Sequence, residues 1–399
     1  MLEVSDIAIV NGARTPMGRY CGKLRDFTAI ELAAIASKEA IRRSGVEPGE
    51  IDHAVFGNAQ QTSGDALYGA RHVALHAGLP VEVPALTVNR LCGSGMQSIV
   101  TAAQMIQLGE SKMALAGGME SMSQAPHVVR GARWGFGLGE GKMEDSLMVA
   151  LLDTYCGLYM AQTAERYAGQ QGITRQAQDE FALCSQQRAA DAQKSCRLSE
   201  EITPVALKDR RGSPTGEMFE KDDHLRSEST LEGLTKLKPS FGKEGTVTAG
   251  NASGIVDGGA AVLLMPVPQA QKRGLKPLGR LVSWGIAGVD PSIMGSGPVP
   301  ATRMALKKAG LKLEDIDLVE VNEAFAAQYL GVEKELGLDR ERTNVNGGAI
   351  ALGHPLGATG TRLVITLLYE LRRRKKKYGL ATACIGGGQG IAMIVESLA

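Results

Sequence analysis

The chain has 399 residues, 44% of them apolar, and carries 44 Lys plus Arg against 43 Asp plus Glu. Such a length predicts two or three domains with substantial cores, and the even charge balance argues against a nucleic-acid surface. No segment reaches about 18 uninterrupted apolar residues, so no helical membrane span is expected.

Along the chain, the start "MLEVSDIAIVNGARTPMG" lacks a basic region followed by an apolar one, unlike a secretory signal. Thr28 and Glu31 have the spacing of a capping box and open a first helix. That helix ends in "KEAIRRSGVEPGEIDHAVFGN" (38–58): two basic residues, then Gly45, then Ile-Asp opening an apolar strand. The basic pair complements the helix C-terminal dipole, and the glycine suits a left-handed stop. Next, "PALTVNRLCGSG" (84–95) runs from a strand through a glycine turn into a helix predicted from near residue 93 to about 108. "KMALAGGMESM" (112–122) is an apolar strand breaking at glycines. Residues 123–249 are richer in charge and read as an insertion over one face of the core, helical over 175–193.

The second half then echoes the first in the same order. "RMALKKAGLKLEDIDLVEVNE" (303–323) repeats the basic pair, the glycine (Gly310) and the Ile-Asp strand. "RTNVNGGAIALGHPLGATG" (342–360) repeats the Val-Asn approach to a glycine turn and a helix. The basic run 372–377 falls where a helix C-terminus is expected and reads as solvated and dipole-complementing. "GLATACIGGGQGIAMIVE" (379–396) repeats the strand that breaks at glycines. The end, "ESLA", is not a Ser-Lys-Leu peroxisomal address.

Strand, glycine turn and helix in alternation predict an α/β protein with helix-covered parallel sheets, duplicated and packed on itself. The expected division is 1–122 plus 250–276 for the first half, 123–249 for the insertion and 277–399 for the second half. The six cysteines show no short paired spacing, so neither a disulfide framework nor a zinc site is expected, and a reducing cytosol fits best. A free cysteine is most often a small buried hydrophobe. Two of the six stand at glycine turns. Cys92 precedes a helix N-terminus, whose dipole and free amides are expected to favour the thiolate. Gly93 and Gly95 are read as clearing space for a large acyl donor. His354 occupies the matching turn of the second half, so packed halves bring an imidazole to the thiol. Cys384 precedes a glycine run whose amides are free to face a site.

Together, "NRLCGSG", "NEAFAAQ" (322–328), "GHPLGATG" (353–360) and "CIGGGQG" (384–390) resemble the thiolase family, in its acetyl-CoA acetyltransferase or 3-ketoacyl-CoA thiolase branch. "GGMESMS" (117–123) and "GTVTAGNASG" (245–254) extend the resemblance over nearly the whole chain. The resemblance implies a five-layered α-β-α-β-α core with an inserted loop domain that binds CoA. It implies Cys92 as the acylated nucleophile, His354 as its base and Cys384 as the acid/base at the α-carbon of the second acyl-CoA. It makes Asn322 the residue that fixes an oxyanion-hole water, with the Cys92 and Gly386 amides forming the second hole. Glu323 neighbours this set without an assigned role. CoA contacts carried over are Arg226, Phe241, Ala249, Ser253, Met294, Ala324 and Phe325, with Met160 at the acyl pocket.

The implied reaction joins acetyl-CoA and an acyl-CoA into a 3-ketoacyl-CoA and CoA, reversibly. CoA and acyl-CoA are substrates, and no metal or nicotinamide cofactor is required. No Gly-x-Gly-x-x-Gly fingerprint opens the first strand–helix unit, which disfavours a dinucleotide enzyme. Acetoacetyl-specific bacterial members often carry His-Met near the acyl pocket, whereas this chain has Tyr159 before Met160. An acetyltransferase is therefore the main expectation and a broader degradative thiolase the alternative. A decarboxylating ketosynthase, which shares the duplicated fold, needs a histidine where Cys384 stands, or a second His or Asn beside it. A silent lipid-binding relative is expected to lack one of Cys92, His354 or Cys384. The resemblance also implies a dimer, and that members with a long glycine-rich loop pair dimers into tetramers. Residues 127–141, with Trp134 and Phe136, form such a stretch, so a homotetramer built as a dimer of dimers is expected.

Overall fold

The computed structural model describes residues 6–242 and 244–398, so the first five residues of the quoted start, Lys243 and the final Ala399 lie outside it. The first half supplies strands β1 (Ile7–Arg14), β2 (His53–Asn58), β3 (Ala85–Val88), β4 (Ala114–Glu120) and, beyond the insertion, β5 (Val256–Pro266). The second supplies β6 (Gly279–Gly288), β7 (Leu318–Val321), β8 (Tyr378–Ile385) and β9 (Gln389–Ser397). Their order is β7-β8-β9-β6-β1-β5-β4-β2-β3. In each half an antiparallel strand, β5 or β9, lies between the first strand and a parallel group. The two halves are joined edge to edge where Ile7–Ile9 pairs antiparallel with Gly279–Leu281.

Period-two side-chain alternation sorts the strands into layers. On β1, Ile7 and Ile9 face one core while Ala8 and Val10 face another. The first of these cores holds α3 (Ser94–Gln107) and α8 (Leu356–Arg374) between the sheets of the two halves. Residues 356–371 of α8 are all buried, as a helix covered on every side must be. The outer face of the first half is covered by α1 (Ala29–Ser44) and α2 (Gly69–His76). The outer face of the second is covered by α6 (Pro298–Ala309) and α7 (Ala326–Leu336). The result is the five-layered α-β-α-β-α arrangement.

Local signals explain where elements stop. Thr28 caps α1 through the Glu31 N–H while the Glu31 carboxylate accepts from the Thr28 N–H, a complete capping box. Gly45 and Gly310 both end their helices at φ 67°. In the basic run, Arg373 and Arg374 pair with Glu370, Arg372 lies over the Tyr369 ring, and Lys377 approaches Glu396. The run is a paired helix end.

The insertion contributes α4 (Met160–Gln171) and α5 (Arg175–Lys194), both packed on α7, where Phe181 of α5 stacks against Tyr329. Its charged end is gripped by Arg14 at the close of β1. That fully buried guanidinium bonds Glu201 at 2.6 Å and both Asp222 oxygens at 2.7 and 2.9 Å. An unpaired buried cation is costly, so these partners fix where the insertion sits over the first half.

Candidate active site

Segments from both halves and from the insertion meet at one apolar cavity of about 170 Å³. The turn Leu91–Gly93 brings Cys92 to its wall just before α3 begins. Leu91 adopts φ 46°, a left-handed conformation unfavourable for a branched side chain. Side-chain bonds hold the turn: Leu91 N–H donates to Asn89 Oδ1 at 2.9 Å, and Arg90 N–H to Ser94 Oγ at 2.8 Å. The Arg90 guanidinium also donates to Gln389 Oε1 at 2.8 Å, linking this turn to the one that follows Cys384.

His354 enters the cavity from the turn before α8, and Cys384 from the end of β8. Asn322 follows β7, and its Nδ2 lies 3.4 Å from His354 Nε2. Its Oδ1 is buried without a hydrogen-bond partner among the described residues, as a group reserved for water is. Residues 251–254 thread between these segments. Ser253 N–H donates to the Ala324 carbonyl at 3.0 Å, and His354 N–H to the Gly254 carbonyl at 2.9 Å. Glu323, whose role the sequence left open, is buried behind Asn322. Its carboxylate accepts from Ser185 Oγ at 2.6 Å, Asn344 Nδ2 at 2.8 Å and Ile350 N–H at 3.2 Å. It thereby joins helix α5 of the insertion to the two loops that carry Asn322 and His354.

Electrostatics reverse one sequence expectation. Burial pushes the Cys92 thiol up to about 11, although the Gly386 and Cys92 N–H groups oppose the shift. The amides face the sulfur as expected, but loss of water around it outweighs them. Burial drives the His354 imidazole down to about 3, helped by the charge of Arg362. Burial, with Cys92 nearby, holds Cys384 well above the usual thiol range. The resting site therefore holds neutral thiols beside a neutral imidazole. A second correction concerns Gly93 and Gly95. A Cβ at Gly93 would meet Ile385 Cδ1 at 2.5 Å, and one at Gly95 the Thr361 nitrogen at 2.6 Å. These glycines permit close packing between the halves and do not open a path for the acyl donor.

The cavity is lined by Phe241, Ser253, Met160, Met294, Ala324, Phe325 and Gly386 among the residues named from sequence. Arg226 and Ala249 line a smaller neighbouring groove with His224 and Gln186. Arg226 is exposed and has no ion-pair partner among the described residues, so its charge remains available. Met122, Leu151, Ile255 and Leu356 also line the main cavity, and sequence reasoning did not single them out. They carry no chemical signature, since an apolar wall residue looks like core until the fold places it. Among the described residues no cluster of three His, Cys, Asp or Glu side chains is arranged to hold a metal ion.

A duplicated five-layered core whose cavity is lined by two cysteines and a histidine, with an asparagine against that histidine, is the arrangement of a CoA-dependent acyl-transfer class. The model of the thiolase N-terminal domain matches residues 7–267, and that of the C-terminal domain matches 275–397. The chain belongs to the thiolase family and is an acyltransferase. It is 52% identical to the mitochondrial 3-ketoacyl-CoA thiolase of Homo sapiens, covering 100% of both. It is 48% identical to the acetyl-CoA acetyltransferase of Cupriavidus necator, over 98% of this chain and 100% of that one. It superposes with a TM-score of 0.97 on the crystal structure of human mitochondrial 3-ketoacyl-CoA thiolase, at 51% identity and 100% coverage of both chains. It also superposes with a TM-score of 0.96 on the human enzyme in complex with CoA, at 51% identity, covering 99% of this chain and 98% of that one. The cytosolic expectation fails here, because relatives at 52% identity from Homo sapiens, Pongo abelii and Bos taurus are named mitochondrial. It rested on free thiols and on the absence of a secretory start, which do not distinguish one reducing compartment from another.

The raised Cys92 thiol has a direct consequence. Below about 11 the thiolate fraction grows tenfold per pH unit, so alkylation of Cys92 by iodoacetamide in the free enzyme should climb steadily from pH 6 to pH 10. Peptide mass spectrometry reads the rate at that residue. A plateau reached by pH 7 would mean that a thiolate–imidazolium pair already exists at rest.

Proposed function

We propose that the chain catalyses reversible Claisen condensation and thiolysis, acetyl-CoA plus acyl-CoA giving 3-ketoacyl-CoA plus CoA, through an acyl thioester on Cys92. The observation that carries this reading is the convergence of Cys92, His354 and Cys384 on one apolar cavity, with Asn322 against His354. His354 Nε2 takes the Cys92 proton, the thiolate attacks the acyl carbonyl, and CoA leaves as its sulfur regains that proton from the imidazolium. His354, neutral again, takes the Cys384 proton, and the Cys384 thiolate removes a proton from the α-carbon of acetyl-CoA. The resulting carbanion attacks the Cys92 thioester, and the departing enzyme sulfur takes the proton held on His354, which returns the site to its resting state. Acyl transfer between sulfurs is nearly isoenergetic, so the intermediate keeps its reactivity. Oxyanion charge is taken by the Cys92 and Gly386 amides in one hole, and by His354 with an Asn322-bound water in the other. Each such donor is worth about 3–4 kcal/mol in a dry site. The reaction so written needs no metal or nicotinamide. The division into 1–122 plus 250–276, 123–249 and 277–399 belongs to the same reading, with the insertion supplying CoA contacts.

The acetyltransferase and the broader thiolase differ in acyl length. The cavity favours the broader range, since Met122, Met160 and Met294 line it and methionine adapts to ligands of different shape. Initial rates with varied CoA and either acetoacetyl-CoA or a medium-chain 3-ketoacyl-CoA test both points. Parallel double-reciprocal lines are expected, with the longer substrate cleaved at a comparable rate. Intersecting lines would remove the acyl-enzyme, and cleavage restricted to acetoacetyl-CoA would select the short-chain reading.

For Arg226 the expected role is pairing with a CoA phosphate from the exposed groove. Arg226→Ala should raise KM for CoA about tenfold with turnover held within twofold, the loss of one exposed charge-assisted contact. An unchanged KM takes Arg226 out of the site.

The tetramer reading rests on the stretch 127–141, where Trp134 is 85% exposed and Leu138 wholly so. Large apolar residues clustered on one exposed loop, Trp134, Phe136 and Leu138, favour burial against another copy. Light scattering at micromolar concentration should give the mass of four chains. A two-chain mass would leave this loop without an assembly role.

A further inference from the structure

The mechanism above leaves one question about its base. An imidazole that must receive a proton on Nε2 needs something to hold its ring and to accept from Nδ1, and a buried site offers no bulk water for the purpose. The residues around Nδ1 answer it. Thr359 Oγ1 lies 2.6 Å from His354 Nδ1, one turn into α8. The same hydroxyl lies 3.2 Å from the Pro355 carbonyl, which can take its proton. His354 is 6% exposed and Thr359 wholly buried, so this pairing is shielded from solvent.

We propose that Thr359 is the positioning residue of the base: its hydroxyl accepts a hydrogen bond from the Nδ1–H of His354, donates one to the Pro355 carbonyl, and leaves Nε2 free for the Cys92 proton. The proposal rests on the reading of His354 as that base. It matters most once the proton has moved. The imidazolium then donates from both nitrogens, and an Nδ1–H without a partner in this apolar surrounding is costly. On the opposite side Nε2 lies 3.4 Å from Asn322 Nδ2, too long for a firm hydrogen bond, so its lone pair stays open to the thiol. The ring is thus held at Nδ1, by a residue of α8. Thr359 sits inside the helix whose N-terminus carries His354, so ring and partner move as one body.

A wild-type measurement tests the tautomer without any substitution. The ¹⁵N spectrum of histidine-labelled protein, with His354 assigned by its loss in His354→Asn, should place the neutral proton on Nδ1. A proton on Nε2 would overturn the proposal. The kinetic arm uses Thr359→Ser and Thr359→Val, with Thr359→Ala as the substitute should valine disturb the packing. At saturating acetyl-CoA, acetylation of Cys92 should fall about 100-fold in the valine form, the low end of what a positioned base contributes. KM for acetyl-CoA should stay within about twofold, and serine should restore the rate to within about threefold. Wild-type acetylation in both the valine and alanine forms would overturn the proposal. Failure of the underlying reading has a separate signature, His354→Asn acetylating Cys92 at the wild-type rate.

Discussion

The arrangement depends on how closely the two central helices approach. A Cβ on Gly95 of α3 would lie 2.6 Å from the Thr361 nitrogen of α8, and one on Gly360 would lie 2.3 Å from the Met96 nitrogen. Backbone meets backbone there, so no side-chain rearrangement can relieve an added methyl. Overpacking of this kind costs about 1–3 kcal/mol and shifts the elements involved. The shift matters more than the energy. The turn before α3 holds Cys92 and the turn before α8 leads from His354, so the helix contact sets the distance between thiol and imidazole. Duplication supplies both turns, and glycine lets them meet.

Burial then decides the electrostatics of the pair. A helix N-terminus and two amides favour the Cys92 thiolate, yet the thiol stays neutral because water is excluded. The same exclusion keeps His354 neutral and Cys384 protonated. Charge appears in this site only when a proton moves toward a waiting partner, and each oxyanion meets donors already in place. An apolar cavity with few polar groups therefore suits a reaction in which both proton transfers are internal. Glu323 belongs to this economy as an anchor, since its three hydrogen bonds hold the insertion and the two catalytic loops to one another.

Much of this was legible in the sequence because local chemistry announced it. Thr28 with Glu31, and Gly45 with Gly310, mark helix ends whatever the fold, and their repetition disclosed the two halves. Three glycine turns named Cys92, His354 and Cys384. The parts that were not legible depend on distant neighbours. A dipole can be read at Cys92, but the desolvation that outweighs it comes from residues elsewhere in the chain. Gly95 looked like an opening because nothing local shows that Thr361 fills the space. Thr359 stood in plain view within "GHPLGATG", yet only the turn geometry aims its hydroxyl at Nδ1. Leu151 and Ile255 carry no signal outside the cavity they line.

The central claim is a division of labour between the half-buried Cys92 and the buried Cys384, and intact mass after brief exposure to acetyl-CoA tests it most directly. Cys384→Ser should take up one acetyl group on Cys92 yet lose acetoacetyl-CoA cleavage, because a serine hydroxyl is too weak an acid/base near neutrality. Cys92→Ser should take up none, since a hydroxyl is a far poorer nucleophile. An acetyl group located on Cys384 in Cys92→Ser, formed as fast as in the wild type, would contradict the account.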